Sequence, residues 1–321
     1  MEHRYFGKSK PDSLDYRFLN FDQVTADYHT IRGLLSPVFN GKWISTVISK
    51  GGQTALAYKA YYPSDVDATV AYVAPVNNEL IDTRIPSLIS KTGSDDCRKK
   101  ITDFQKELLS QKEDLLPLYI AHAQKYKYKL GHNPETLFEY MVLEYPFSFW
   151  QWGKGNCDSI PPKNAVPEKM LKNLLTIVPL HYYTEGGVKS LEPFFYQAFT
   201  ELGFYQYDAR PFKGLLKQKE YPNEFFAPAH TELKYNPAAM KKVRTYLSKN
   251  GNHIIYISGE NDPWGATAFA PPKELDALQI IKKEGSHTTR ISTLPPSQQE
   301  EIVHALQRWI GKEISSSPIL K

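Results

Sequence analysis

Three residues of this chain have the side chains and the chain order that nucleophilic acyl transfer requires. Ser49 ends the apolar run WISTVIS and is followed by two glycines and a helix-like segment. Asp262 follows the buried run NHIIYIS, and His287 lies in a Gly-Ser loop after LDALQIIKK. An aspartate can hold an imidazole in one tautomer, and that imidazole can take the serine proton and pass it to a leaving group. We therefore expect Ser49 to be a nucleophile, His287 its general base and Asp262 the group that orients the histidine.

The segment around Ser49 has the pattern of a nucleophile elbow, a sharp turn between a strand and a helix. Gly51 stands two residues after the serine, where a side chain would hold the strand and the helix apart. The usual pattern also has glycine two residues before the serine, but this chain has Val47 there. We expect the backbone N–H of Lys50 to donate to the oxyanion. The structural alternative for Ser49 is an ordinary helix N-cap in a polar loop.

The elements that must position these residues predict an α/β fold. Short, apolar, β-rich segments that do not alternate are typical of strands in a parallel sheet, and they occur at 43–49, 68–76, 252–258 and, more weakly, 275–283. From about residue 86 to about 235 the pattern changes to long amphipathic stretches, and a further amphipathic helix is predicted at 297–310. We expect an α/β-hydrolase core formed by 1–85 and 236–321, interrupted by a mostly helical cap at 86–235.

Composition excludes several other classes of protein. The 39 Lys and Arg and 35 Asp and Glu residues are spread along the chain, with no long basic run for nucleic acid. No segment approaches the ~20 apolar residues that a membrane-spanning helix needs, and the first residues lack the pattern of a secretory signal. Cys97 and Cys157 have no CxxC or His-rich neighbours, so we expect neither a metal ion nor a cofactor. Cys97 is also a poor candidate nucleophile, because its segment DDCRKK has no partner histidine.

With these residues placed, the sequence resembles the secreted bacterial prolyl tripeptidyl aminopeptidases, α/β-hydrolase serine peptidases distantly related to lysosomal prolyl carboxypeptidases. The landmarks of the resemblance are EHRYFGKS, NFDQVTADYHTI, WISTVISKGG, VDATVAYVAPVN, EYPFSFWQWG, YQAFTELGFYQYD, GENDPW and GSHTTR. The resemblance implies a cap over the active site and peptide substrates cleaved near their N-terminus, commonly after proline. It also implies a secreted or periplasmic location.

Substrate-binding residues can be proposed from the same landmarks. A proline ring calls for a flat apolar pocket, which Trp150 and Trp152 could supply, although aromatic side chains at this spacing also serve as helix-packing core. An exopeptidase must bind a free α-amino group, for which a carboxylate in a partly dry cleft is suited. Glu144 and Glu201 are the candidates, and the alternative is a solvated or N-capping glutamate.

The start of the chain departs from the family. The resemblance implies earlier residues that carry the signal sequence, the first strands and a second oxyanion donor, and it places EHRYFG on an interior strand. We therefore expect an exposed sheet edge, and weak activity or none on proline-containing peptides in this polypeptide alone.

Two alternatives to a peptidase remain: an esterase or lipase with the same triad, and a truncated, non-catalytic α/β-hydrolase-like protein. The Tyr- and Lys-rich composition of the cap favours peptide over lipid. For Cys97 and Cys157, either a disulfide or two buried thiols is open, and a disulfide is expected if the protein matures in an oxidising compartment.

Overall fold

The computed structural model describes residues 1–153 and 155–314. The chain forms two compact units. The sheet unit comprises Met1–Asp82, Gln197–Phe204 and the chain from Glu232, and the helical unit comprises Thr83–Tyr196 and Tyr205–Thr231.

One expected boundary is wrong. Residues 197–204 were expected in the helical insertion, but they belong to the sheet unit. The physical reason is that Ala198–Leu202 form a π-helix packed on the helix Ala238–Asn250 of the sheet unit. Glu201 of this π-helix also accepts the backbone N–H of Phe21, which begins another helix of the same unit.

Within the described residues, four parallel strands form the sheet, in the order in which they occur along the chain. They are β1 (Ile44–Ile48), β2 (Ala68–Tyr72), β3 (Ile254–Gly259) and β4 (Leu278–Lys282). In register, Ile44 pairs with Ala68, Thr69 with Ile254, and Ile255 with Leu278. All four strands, including the weakest candidate, were predicted from their apolar runs, and the prediction is confirmed.

Helices cover both faces of the central strands. The sheet unit contains α1 (Phe21–Leu35), α2 (Lys50–Tyr61), α9 (Ala238–Asn250) and α10 (Pro296–Ile310). Because side chains alternate along a strand, Ile254 and Tyr256 of β3 pack with α1, α2 and α9, whereas Ile255 and Ile257 pack with β4 and α10. These two cores explain why β2 and β3 read as continuous apolar runs rather than as alternating strands.

Strand β1 lies at one edge of the sheet and is poorly covered. Its residues Ile44, Val47 and Ile48 are 38%, 44% and 43% exposed, whereas the residues of β3 are all buried. Leu34 of α1 and Val38 just beyond it, before β1, are also exposed. The exposed apolar edge expected from the sequence is therefore present in the described residues.

The first residues do not form the strand expected from the resemblance, and this prediction is wrong. Residues 1–10 are turns and irregular chain. Tyr5 and Gly7 both have positive φ, 69° and 53°, which an extended strand cannot accommodate. The turn is closed by the Glu2 carboxylate, which accepts the N–H of Ser9 at 2.9 Å, and Arg4 pairs with Asp27 of α1 at 2.6 Å.

The helical unit has a core of its own. Its helices are α3 (Arg84–Ile89), α4 (Asp95–Ser110), α5 (Lys112–Lys125), α6 (Pro134–Trp152), α7 (Pro167–Ile177) and α8 (Glu185–Gln197), the last ending at the boundary with the sheet unit. Helix α6 is buried along most of its length and contacts α4, α5 and α7. The central buried side chains include Leu108, Tyr119 and Phe138.

Two further observations concern the cysteines and the apolar character of the helices. Cys97 of α4 is bonded to Cys157, with their Cα atoms 5.3 Å apart, so the predicted disulfide is confirmed. Across residues 1–153 and 155–314, no helix combines the length and apolar character needed to cross a bilayer.

Candidate active site

Ser49 occupies a sharp turn between β1 and α2. Its backbone has φ 58° and ψ −127°, a region that side-chain-bearing residues rarely adopt. The turn is held from both sides, because the Ser49 N–H donates to the carbonyl of Tyr72 at 2.8 Å and its carbonyl accepts the N–H of Gln53 at 3.0 Å. No side-chain capping bond is made by Ser49, so its hydroxyl does not serve the helix as an N-cap within the described residues. The predicted strand-to-helix turn is present.

The glycines after Ser49 explain how the turn tolerates Val47. A Cβ built on Gly51 would lie 2.2 Å from Cγ1 of Val47, so the valine side chain fills the space that glycine leaves open. A Cβ on Gly52 would lie 2.8 Å from Cβ of Ala74 and 3.1 Å from the carbonyl oxygen of Tyr72. Both glycines are therefore required for close packing, and Val47 is accommodated by Gly51.

Asp262 and His287 meet in the loops that follow β3 and β4. The His287 Nδ1 atom lies 2.7 Å from Oδ2 of Asp262, and both side chains are buried. The other carboxylate oxygen, Oδ1, accepts the N–H of Trp264 at 3.2 Å, which fixes the carboxylate. Since an ionised carboxylate only accepts, Nδ1 carries the proton and Nε2 is left with a lone pair for proton transfer.

The two loops are held together by groups that sequence reasoning missed. A Cβ on Gly259, the last residue of β3, would lie 2.4 Å from the carbonyl carbon of Gly285, so only glycine allows the loops to approach this closely. Next to it the N–H of Asn261 donates to the Gly285 carbonyl at 2.8 Å. Arg290 donates to the His287 carbonyl at 3.0 Å and lies over the Tyr72 ring. The available signal was the repeated glycine in SGEND and EGSH.

Lys50, the predicted oxyanion donor, is the first residue of α2. N–H groups in a first helical turn have no partner inside the helix and are suited to anion binding. Its side chain is enclosed, with Nζ 4.6 Å from the centre of the Phe6 ring. Burial lowers the pKa of the Lys50 ammonium to about 7, and the Glu201 carboxylate opposes this shift.

Glu201 makes the contacts of a helix-stabilising carboxylate. Its two oxygens accept the N–H of Phe21, at the start of α1, at 3.1 and 2.9 Å, and Gln197 donates to it at 3.0 Å. Burial raises its pKa, and the hydrogen bonds from Gln197 and Phe21 act against that shift. A role in binding an α-amino group stays a prediction.

Glu144 lies inside the helical unit among hydroxyl groups. Tyr205 and Tyr207 donate to Oε2 at 2.6 and 2.9 Å, and Ser148 donates to Oε1 at 2.9 Å. Burial raises the pKa of Glu144 to about 7, although all three hydrogen bonds favour the carboxylate. Its proposed role in binding an amine likewise stays a prediction.

The two predicted tryptophans differ in their surroundings. Trp150 is buried and lines a cavity of about 240 Å³ in the helical unit, together with Phe147. Trp152 is half-buried and ends α6. Trp150 thus contributes to a pocket wall. Substrate binding by Trp150 or by Trp152 stays a prediction.

A parallel sheet with a strained serine after one strand and an Asp–His pair after two later strands defines an α/β hydrolase. The expected fold class is confirmed. The sequence profile of the PS-10 peptidase S37 family matches residues 1–316, and the chain belongs to this family of serine peptidases.

Proteins similar to this chain include two relatives and one solved structure. The chain is 28% identical over 322 residues to a prolyl tri/tetrapeptidyl aminopeptidase of Streptomyces mobaraensis, covering 97% of this chain and 67% of the relative. It is 23% identical over 394 residues to prolyl carboxy peptidase like protein 5 of Caenorhabditis elegans, covering 99% and 77%. Among solved structures, proline iminopeptidase of Mycobacterium smegmatis is similar with a TM-score of 0.42 and 14% identity, covering 95% of this chain and 77% of that one.

Proposed function

We propose that this protein is a serine exopeptidase that releases short peptides from the N-terminus of peptide substrates, after proline, through an acyl-enzyme on Ser49. The observation that carries the proposal is the buried hydrogen bond between His287 and Asp262 in the loops after β3 and β4. The strained backbone of Ser49 at the end of β1 supports it.

Acylation begins with proton transfer from the Ser49 hydroxyl to Nε2 of His287. The serine oxygen attacks the scissile carbonyl, and the imidazolium that forms is stabilised by Asp262. His287 then protonates the leaving amine. Because Asp262 fixes Nδ1–H, the histidine needs no change of tautomer during this step.

Deacylation runs the same steps with water. His287 takes a proton from the attacking water and returns it to the Ser49 oxygen as the bond between serine and the acyl group breaks. The N-terminal fragment then leaves with its new carboxyl group. In both tetrahedral intermediates the oxyanion accepts from the Lys50 N–H, at the positive end of the α2 dipole.

The substrate class rests on the relatives. The Streptomyces relative is named for removing tri- and tetrapeptides at proline, and the nematode relative is named for prolyl carboxypeptidases. Both names point to proline at the cleaved bond, which is why we assign that specificity here.

Fluorophosphonate labelling tests the mechanism directly. We expect wild-type protein to be labelled and to hydrolyse a tripeptidyl-proline chromogenic substrate, and Ser49→Ala to do neither. The matched control is Ser248→Ala, which removes an exposed hydroxyl bonded to a carbonyl on α9. Labelling of Ser49→Ala, or no labelling of wild type, would reject Ser49 as the nucleophile.

An esterase and a non-catalytic protein are outcomes of the same experiment. Labelling with turnover of a p-nitrophenyl ester but no peptide cleavage would identify an esterase. Absence of both labelling and turnover would favour the non-catalytic alternative.

We also propose that the protein matures in a secreted or periplasmic setting. The Cys97–Cys157 bond supports this, because disulfides persist in oxidising compartments. Free-thiol titration of protein isolated directly from its native cells, with thiols blocked at lysis, should find no free cysteine.

A further inference from the structure

The nucleophile and its base follow the two outer strands of the described sheet. Ser49 follows β1 and His287 follows β4, with β2 and β3 between them. Neighbouring strands are about 4.8 Å apart, so β1 and β4 are separated by roughly 14 Å. Asp262 fixes the His287 imidazole to the loop after β3, at 2.7 Å. That bond does not set the position of the imidazole relative to Ser49, and proton transfer requires the two to lie within hydrogen-bond reach.

Tyr72, the last residue of β2, contacts both sides of this gap. Its carbonyl oxygen accepts the N–H of Ser49 at 2.8 Å, which holds the strained serine turn. Its ring lies under the guanidinium of Arg290, whose central carbon is 5.6 Å from the ring centre. A guanidinium is attracted by the negative face of an aromatic ring, and its planar shape lets it stack there. Tyr72 therefore joins the serine turn to Arg290.

Arg290 continues the connection to the catalytic histidine. Its Nη1 atom donates to the carbonyl of His287 at 3.0 Å and to that of Thr289 at 2.6 Å. The Arg290 backbone is fixed as well, because its N–H donates to the Thr293 hydroxyl at 3.1 Å and its carbonyl accepts the Thr293 N–H at 2.9 Å. The guanidinium thus holds residues 287–289 against the Tyr72 ring.

These contacts suit positioning. The guanidinium bonds two carbonyl oxygens and packs on one ring, all neutral groups, so a planar cation is fixed in both position and angle. Arg290 and Tyr72 are both half-buried, so water competes for these contacts less than it would at an exposed site.

We propose that Tyr72 and Arg290 are positioning residues that together set the distance between the Ser49 hydroxyl and Nε2 of His287. This inference rests on the proposed function, because it assigns the two residues a role in proton transfer at that site. Catalysis is sensitive to such positioning, since a displacement of about 1 Å can cost about 10²-fold in rate.

The rate of fluorophosphonate labelling tests this bridge, because labelling needs an activated serine but no peptide-binding contacts. Arg290→Met and Tyr72→Leu each remove one half of the bridge, and the double variant removes both. Arg290→Lys keeps the charge without the planar group, and it replaces Arg290→Met if that variant does not fold.

The chain offers a matched control for each half. Tyr72→Phe keeps the ring that carries the guanidinium. Arg308→Met removes an arginine of the same unit that also lies over an aromatic ring, that of Trp309, and bonds Asp276 at 2.7 Å. Both controls should be labelled at a rate within about 3-fold of wild type.

We expect Arg290→Met and Tyr72→Leu to be labelled completely but about 10²-fold more slowly than wild type, and Arg290→Lys about 10-fold more slowly. On a tripeptidyl-proline chromogenic substrate, kcat should fall in parallel and KM should change by less than about 3-fold. The double variant should be no slower than the slower single variant, because either change breaks the same bridge.

Several results would overturn the inference. Rapid labelling of a reduced fraction of molecules would show that the substitution unfolds the protein instead of displacing the histidine. Losses that multiply in the double variant would show that Tyr72 and Arg290 act separately, and an equal loss in Arg308→Met would show that the effect is not specific to this site. Wild type labelled no faster than the bridge variants would reject this inference alone, whereas unlabelled wild type would reject the proposed function and this inference with it.

Discussion

Removing the Cys97–Cys157 disulfide should strongly destabilise the helical unit. The two cysteines are 60 residues apart in sequence. The chain-entropy relation for a loop of that length gives about 4 kcal/mol at 25 °C. Cys97 is fully buried against the α4 and α6 core, so its truncation adds the cost of a cavity to the loss of the cross-link.

Thermal unfolding of oxidised and reduced wild type isolates the cross-link, because reduction preserves both sulfur atoms. With about 2–4 °C per kcal/mol for a unit of this size, we expect the midpoint of the helical unit to fall by roughly 8–16 °C. Cys97→Ala/Cys157→Ala should fall at least as far, and reducing agent should leave its midpoint unchanged.

Oxidised and reduced wild-type proteins that melt within about 2 °C of each other would show that the cross-link does not stabilise the helical unit. A drop of the expected size that also occurs in the double variant on adding reductant would assign the effect to the reagent. Near-ultraviolet circular dichroism, which reports tertiary packing of aromatic side chains, is a suitable signal given the many rings of this unit.

Three further predictions concern the sites. Asp262→Asn should lower kcat on a prolyl tripeptide substrate by about 10⁴-fold at similar stability, because the imidazole loses its fixed tautomer, and a kcat near wild type would contradict the assigned role. Gly51→Ala should destabilise the protein, because the added Cβ would collide with the Val47 side chain, and a second substitution, Val47→Ala, should relieve that collision. The two single variants and the double variant would be compared by urea unfolding, and a coupling free energy below about 0.5 kcal/mol would contradict the contact. Since burial raises the pKa of Glu144 from 4.5 to about 7, wild type should lose stability relative to Glu144→Gln as pH rises from 4.5 to 7, by about 3 kcal/mol in total. A pH-independent difference between the two melting curves would show that Glu144 is not buried as a titrating acid.

The strands and the catalytic candidates could be predicted because each depends on local sequence. Buried parallel strands are uninterrupted apolar runs, and chemistry in such folds gathers where strands end, so Ser49, Asp262 and His287 stood out. The order Ser, Asp, His along the chain was the main evidence that these residues form a triad.

Features that depend on tertiary contact were beyond the sequence. The landmark EHRYFG has the composition of a strand, yet Tyr5 and Gly7 adopt positive φ and the segment turns back on itself. Glu201 stands beside aromatic residues like a ligand-binding carboxylate, but its partner is the N–H of Phe21, 180 residues away. The closeness of Gly259 to Gly285 likewise appears only when β3 and β4 are side by side.

The exposed strand β1 has a consequence for motion near the nucleophile. In the described part of the chain β1 is hydrogen-bonded on one side only, to β2, while β2 and β3 are bonded on both. Its amides should therefore exchange with solvent through low-energy local opening, ahead of those in β3. Because Ser49 directly follows β1, each such opening would release the strained turn that holds the serine. The fraction of molecules in which Ser49 is positioned for attack is therefore governed by β1, the least protected strand of the sheet.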